Sequence, residues 1–296
     1  MSLVPAQQRA WKVGEILHGY RVRSVLGDGA FSRVYHVEDL KTQTAYALKH
    51  VISTCDKEDR WVNQARAEWE VGSRLHHPAI RTVIDCRHDG WFLRNSRDVA
   101  LVLELVDAQS LAEVQRPLMW ACICIFRQVA AALQHMHETG FVHADMKPMN
   151  LLCSRNLRTR VIDLGQSVPI GFTKERIQGT PGYIAPEQAE LQPLTEQTDV
   201  FNFAATMYSI LLGRRSDGLL YLAPQAVNSC KDPGATVAAD RVGPSGPLHL
   251  IDPSIPEPLA MLLLDCLEAQ PHRRKKLAWV ARVLASLDRQ PTAAAN

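Results

Sequence analysis

Apolar and polar positions alternate two by two through the early part of the chain and then give way to helical spacing. Alternation over Tyr20–Leu26, Phe31–Val37 and Ala45–Val51, with turn-forming residues between, predicts three strands of a small antiparallel sheet. From Lys57 to Leu75 the pattern is that of a helix, and Pro78 forces an extended exit after it. Ile80–Cys86 and Val99–Val106 predict two more strands. Met119–Glu138 is long and apolar-rich and stops ahead of Gly140, a residue suited to a left-handed helix terminus. Met261–Leu267 and Leu277–Leu287 resume the helical pattern. Between them and Gly213, the prolines at 224, 233, 244, 247, 253 and 256 break the chain too often for long regular elements, and Pro291–Asn296 is expected to be a frayed tail. The expected fold class is therefore α+β: a small N-terminal antiparallel sheet carrying one helix, then a larger, mainly helical part.

Composition narrows the class without naming a chemistry. With 46% hydrophobic and 22% charged residues in 296, the chain has the balance of a folded globular protein with a large core. The formal charge of +2, from 33 basic and 31 acidic residues, gives no global field that would draw nucleic acid or an anionic membrane. The 7 cysteines are odd in number, scattered and never paired as C-x-x-C, which reads as reduced thiols in a cytoplasmic protein. Cys122 and Cys124 lie two apart in a predicted helix and so point in different directions, which favours packing over metal ligation. The N-terminus has no apolar core of signal-peptide type, and no run reaches the roughly 18 apolar residues of a membrane span.

Three groups of residues carry candidate chemistry. Gly27-Asp28-Gly29-Ala30-Phe31-Ser32 falls between two predicted strands, where glycines let the backbone approach phosphates; a plain tight hairpin accounts for it equally well. Lys49 ends an apolar strand and alone reads as a lysine snorkelling from a sheet, but Glu68, in the predicted helix, could hold a buried ammonium charged and oriented. The third group is the most specific. His143-Ala144-Asp145-Met146-Lys147-Pro148-Met149-Asn150 puts an acid, a lysine and an amide in one loop, and Asp163-Leu164-Gly165 follows after two strand-like segments. Asp145 can accept the proton of an incoming hydroxyl, Lys147 can offset charge on a transferred group, and Asn150 and Asp163 are hard oxygen ligands suited to Mg²⁺.

These motifs, with Tyr46-Ala47-Leu48-Lys49 and Ala185-Pro186-Glu187, resemble in identity and order those of a eukaryotic-type protein kinase from about Tyr20 to about Leu287. The resemblance implies a two-lobed kinase domain over 20–287, with an N-lobe to about 106 and a C-lobe from about 107, between an extension (1–19) and a tail (288–296). It implies ATP and Mg²⁺ as cofactors and protein substrates as partners. Leu26, Gly27, Gly29, Val34, Ala47 and Leu152 match the residues that enclose the nucleotide. Leu103 matches the residue at the back of the pocket, and Glu104 and Val106 match the backbone groups offered to adenine. Lys49 and Glu68 match the phosphate-binding ion pair. Asp145, Lys147 and Thr180 match the catalytic set, Thr180 within a segment Gly179–Tyr183 resembling the serine/threonine branch. Glu187 with Arg274, and Asp199, match structural anchors.

The chain also departs from the pattern. Ala144 replaces the arginine that receives an activation-loop phosphate, which argues against loop phosphorylation as the main switch; Ser167 and Thr173 are the hydroxyls available there before Thr180. Leu164 replaces phenylalanine, and Ser32 a glycine, both without loss of role. Gly72 stands where an apolar side chain is usual. It is expected to leave a packing contact unfilled and the Glu68 helix loosely held, so that an activating partner or a substrate would be needed to seat it. The retained Lys49, Asp145, Asn150 and Asp163 argue against a pseudokinase scaffold, and Gly179–Tyr183 with Ala185-Pro186-Glu187 argue against a kinase-like small-molecule phosphotransferase.

Overall fold

The computed structural model describes residues 10–29, 31–56, 58–89, 97–213 and 252–288; most of the proline-interrupted stretch, the expected C-terminal tail, Ala30 and Cys230 lie outside them. The chain forms two compact units. One consists of the residues up to His77 with Arg81–Asp107 and Asp163–Gly165, the other of Pro78–Ile80, Ala108–Ile162 and the residues from Gln166 onward.

The first unit is a six-stranded antiparallel sheet, β1 (Ile16–Leu17), β2 (Tyr20–Asp28), β3 (Arg33–Asp39), β4 (Ala45–Ile52), β5 (Val83–His88) and β6 (Asp98–Leu103), in the spatial order β1-β2-β3-β4-β6-β5. Period-2 alternation distributes its strands over two cores. Ala100 and Val102 of β6 join Tyr20, Val22, Tyr35, Val37 and Leu48 on one face, whereas Val99, Leu101 and Leu103 join Ala47, Val51 and Val83 on the other. Both faces of β6 are covered, which is why Val99–Leu103 reads as an unbroken apolar run. The second face is closed by α1 (Asp59–Gly72), which contributes Val62 and Ala65.

Part of the expected extension packs on this sheet, with Ile16–Leu17 as its first strand. Ile16 pairs with Arg21, Leu17 is buried in the first core, and the Trp11 N–H donates to the Tyr35 hydroxyl at 3.2 Å. Several bounds also shift: the second predicted strand begins at Arg33 instead of Phe31, the fourth begins at Val83, because Ile80 instead bridges to Val161, the fifth ends at Leu103 instead of Val106, and the helix ends at Gly72 instead of Leu75.

The second unit is built on α2 (Met119–Glu138), whose bounds are those the apolar pattern predicts, with Gly140 just past its end at φ 88°. α3 is the short Pro186–Ala189 helix and α4 spans Glu196–Leu212; α5 (Glu257–Cys266) and α6 (Leu277–Asp288) complete the helices among the described residues. Phe126 of α2 meets Phe203 of α4 edge-on with ring centroids 5.2 Å apart. Short strands β7 (Gln109–Ser110), β9 (Leu151–Cys153) and β10 (Thr159–Val161) form one ribbon, and β8 (Phe141–Val142) with β11 (Val168–Pro169) another. These ribbons hold the ends of the 143–150 loop. No described helix is long and apolar enough to cross a membrane.

Candidate active site

In the first unit the strand register places the candidate residues. Val34 lies opposite Lys49, Ala47 opposite Leu103, and Gly27 opposite Val34. Ala47, Leu103 and the half-buried Val34 share the α1-side core, whereas Leu26 is largely exposed. Between Gly27 and Ser32 the chain turns on itself, with Gly29 N–H donating to the Ser32 carbonyl at 2.9 Å. Phe31, at this turn, stacks on Trp61 of α1 at 4.3 Å, and the Arg60 guanidinium lies over the Trp61 ring. Glu104 N–H donates to the Thr82 carbonyl at 2.9 Å, so that N–H is already committed within the sheet's unit. Val106 is half-buried beyond it.

Lys49 shares the α1 face of β4 with Ala47 and Val51. Its Nζ donates to Glu68 Oε2 at 2.6 Å and to Asp163 Oδ1 at 2.8 Å, and Glu68 is only 1% exposed. Burial works to lower the Lys49 ammonium, but Asp163 and Glu68 together outweigh it and hold it above its ordinary value, fully charged. Asp163 adopts φ 62°, a conformation uncommon for a residue with a side chain and typical of constrained functional positions. Arg81, which carries no motif, adds a second cation: burial lowers its guanidinium, opposed by Glu68, Asp163 and Glu104.

The expectation of an unfilled packing contact at Gly72 is corrected here. Gly72 is the last residue of α1, not an interior one, and the space beside it is filled: a Cβ there would lie 2.3 Å from Val83 Cγ2 and 3.4 Å from Leu164 Cδ1. The apolar bulk missing from position 72 is supplied from β5, and Lys49 and Glu68 are paired.

In the second unit, Asp145 is buried in a loop whose backbone is fixed from beneath. Asp199 accepts from the N–H groups of His143 and Ala144, both at 2.8 Å, and from His137 Nε2 at 2.8 Å. Burial pushes the Asp199 carboxyl up, but these donors and the nearby histidines outweigh it and hold it below its ordinary range. Gln188 Nε2 donates to the Ala144 carbonyl at 2.9 Å while its Oε1 accepts from Ala185 N–H and Asn202. Ala144 itself sits at φ 58° with no exposed surface.

On this base Lys147 Nζ donates to Asp145 Oδ2 at 2.8 Å and to Thr180 Oγ1 at 2.9 Å, and Thr180 Oγ1 donates to Asp145 Oδ1 at 3.2 Å. Asn150 Nδ2 donates to the Asp145 carbonyl at 2.8 Å and to Oδ2 at 3.3 Å, which assigns the amide nitrogen to Asp145. Leu152, on β9, pairs with Arg160 and Ser110. Of the two loop hydroxyls, Ser167 is buried and donates to the His143 carbonyl at 3.5 Å, whereas Thr173 is exposed. Lys174, also unmarked in the sequence, is buried with its Nζ on the Gln166 carbonyl (3.0 Å) and Oε1 (2.9 Å). Below this loop Arg274 makes a bidentate pair with Glu187 at 2.6 and 2.8 Å.

Burial pushes the thiols of Cys86, Cys122 and Cys266 up to about 12, so they behave as packing residues.

The chain is 31% identical over 209 residues to the serine/threonine-protein kinase PLK4 of Drosophila ananassae, covering 68% of this chain and 26% of that protein. It is 28% identical over 290 residues to a probable serine/threonine-protein kinase of Streptomyces coelicolor, covering 93% and 41%. A leaf rust 10 disease-resistance locus receptor-like protein kinase of Arabidopsis thaliana is 31% identical over 203 residues, 64% and 28%. The chain thus spans between about a quarter and two fifths of the length of these relatives. Residues 20–280 match the protein kinase domain family, and the chain belongs to it.

Proposed function

We propose that the chain is an ATP-dependent protein kinase that transfers the γ-phosphate of Mg-ATP to serine and threonine hydroxyls of protein substrates. The observation that carries this reading is the closed set of bonds among Asp145, Lys147 and Thr180. Asp145 is held with both carboxylate oxygens occupied by donors that an incoming hydroxyl can replace, so it can take the proton of that hydroxyl as attack begins. Lys147 is poised to follow the charge onto the transferred group. The hydroxyl of Thr180 fixes the carboxylate plane relative to the segment that would carry the peptide. A cavity of about 440 Å³ in the same unit is lined by Lys147, Pro148, Thr180, Pro181 and Tyr183, which gives a polypeptide a place beside that set.

The remaining groups fit the cosubstrate. The charged Lys49 ammonium, oriented by Glu68, suits a phosphate oxygen, and Ala47, Val34 and Leu103 give an apolar surface to a base. Asn150 Oδ1 and the Asp163 carboxylate are hard oxygen donors of the kind Mg²⁺ takes, with the Asn150 nitrogen already committed to Asp145. Those two residues would hold the ion, which when bound neutralises charge on the phosphates.

The test is transfer of radiolabel from ATP, with Mg²⁺, to a generic basic protein. Wild type is expected to label it on serine and threonine, with Asp145→Asn reducing the rate about 10²- to 10⁴-fold and Lys49→Met also strongly impaired. Intact nucleotide binding without transfer would instead make the chain a scaffold, and labelling of a sugar or antibiotic but of no protein would make it a small-molecule phosphotransferase.

A further inference from the structure

On the face of the sheet opposite Lys49, three residues distant in sequence converge. Strand alternation sends Lys49 toward α1 and its neighbour His50 to the other side, where His50 is only 3% exposed. Asp98 opens β6 opposite Ile52, one same-face step along from the His50–Ala100 pair. His18 comes from the two-residue turn between β1 and β2, since Leu17 pairs with Tyr20 and leaves only His18 and Gly19 to reverse the chain. His18 Nε2 lies 3.0 Å and His50 Nε2 2.9 Å from the same atom, Asp98 Oδ1, and the ligand atoms of all three lie within 4.8 Å of one another.

We propose that His18, His50 and Asp98 form a binding site for a zinc-class divalent transition-metal ion, separate from the phosphoryl-transfer site. The donor set is two imidazoles and a carboxylate, the ligand types such ions take. Bonds of about 2.0–2.1 Å in tetrahedral geometry set ligand atoms roughly 3.3–3.4 Å apart, so the two Nε2–Oδ1 separations need to open by only about half an ångström. The two histidine rings stand edge to face with centroids 6.1 Å apart, which aims both Nε2 atoms at one point instead of stacking them side by side. Partial exposure of His18 and Asp98 leaves a way in and room for a water as fourth ligand.

The turn supplies an independent sign. His18 has φ 49° and Gly19 φ 89°, both positive, as the tight turn between right-twisted strands requires. Glycine, asparagine and aspartate fill such positions most readily. A histidine there is conformationally unfavourable, yet it brings an imidazole from the β1–β2 turn onto Asp98. A bound ion would pin the β1–β2 hairpin to the strand that carries Lys49. Trp11, whose ring meets that of His50 at 6.3 Å, places a fluorophore beside the site.

The full chain, freed of metal by chelation, should be titrated with Zn²⁺ by calorimetry and with Co²⁺ by absorbance, alongside His18→Asn and Asp98→Asn. His18→Asn keeps a residue that accepts the turn, and Asp98→Asn keeps the shape of the side chain. Wild type is expected to bind one Zn²⁺ per chain, with a change in tryptophan emission and a rise of several degrees in thermal midpoint, each variant weakening binding at least tenfold. Co²⁺ is expected to give the visible bands of a tetrahedral nitrogen and oxygen site. Absence of stoichiometric binding, a thiolate charge-transfer band that places the ion on cysteines, or unchanged affinity in both folded variants would overturn the proposal. The Co²⁺ spectrum of wild type decides the matter even if a variant fails to fold.

Discussion

Val83 of β5 occupies the space that a side chain at position 72 would take, its Cγ2 lying 2.3 Å from where the Cβ would be. The two residues are matched, a β-branched side chain against a glycine, and the match lies one turn of helix from Glu68. Gly72→Ala is therefore expected to be destabilising. Val83 is stiff about χ1 and set in a strand, so relieving the overlap should cost about 1–3 kcal/mol, against at most about 1 kcal/mol of helix propensity. In a Val83→Ala background the clash with Cγ2 is removed and only the Cβ of residue 83, at 3.0 Å, still crowds the position, so the same substitution should cost much less. Chemical denaturation of the four proteins of this cycle measures the coupling; additive effects would show that the contact is not what excludes a side chain.

The Gly72 case shows where sequence reasoning reached its limit. The sequence shows that a side chain is missing at 72, but Val83 fills the gap from a strand that is adjacent only in three dimensions. By contrast, the Asp145–Asn150 loop was legible because its acid, lysine and amide lie within one short contiguous run. Met119–Glu138 was legible at both ends because apolar spacing stops where Gly140 takes a left-handed conformation. α4 received no bounds in advance: Thr198 to Leu211 are buried without a break, so no polar stripe gives a helical period. β1 is two residues long, too short for alternation to register. Arg81, Lys174 and Gln188 have no motif because their roles come from the carboxylates and carbonyls that folding brings to them.

Removal of the buried cation at Arg274 is expected to unfold the second unit more readily than any single truncation in its loops. Arg274 is bonded to both Glu187 oxygens, to the carbonyls of Gln197, Glu268 and Ala269, and lies over the Phe201 ring at 5.0 Å. Arg274→Ala leaves the Glu187 carboxylate buried without its counter-charge, a loss of about 3–5 kcal/mol. Arg274→Lys should recover only part, since an ammonium cannot reproduce the planar fork. Thermal melts rank the three; an Arg274→Ala protein as stable as wild type would show that the pair contributes nothing.

The Thr180 hydroxyl bridges Lys147 and Asp145, so its loss should be felt in turnover more than in folding. Thr180→Ala removes two hydrogen bonds to charged groups, each worth about 1.5 kcal/mol or more, and is expected to lower kcat at least about tenfold with little change in KM for ATP. Thr180→Ser, which keeps the hydroxyl, should stay within a few-fold of wild type. Steady-state kinetics on one protein substrate separate the two; equal losses in both variants would point to the lost methyl group, not the hydroxyl.

Lys174 gives the chain a defined pH signature. It is 8% exposed, and burial pushes its ammonium down to about 8 from an ordinary 10.5, against the opposing pull of Asp145 and Asp199. Below about pH 8 the folded and unfolded states both carry the charge, and the folded state bears the whole cost of burying it. Between about 8 and 10.5 the folded lysine is neutral while the unfolded one still holds its proton, so this group makes stability rise with pH through that window, by up to about 3 kcal/mol. The buried thiols act in the opposite direction at the alkaline end, because their pKa values are raised by folding. Total stability therefore hides the effect, and the comparison must be made against Lys174→Met, which keeps the apolar stem without the titration. Denaturant unfolding of both proteins at pH 7.5 and pH 10 should show wild type gaining on the variant as pH rises. A difference that stays constant across that interval would mean the folded lysine titrates as it does in water, and that its ammonium keeps its charge on the Gln166 oxygens throughout.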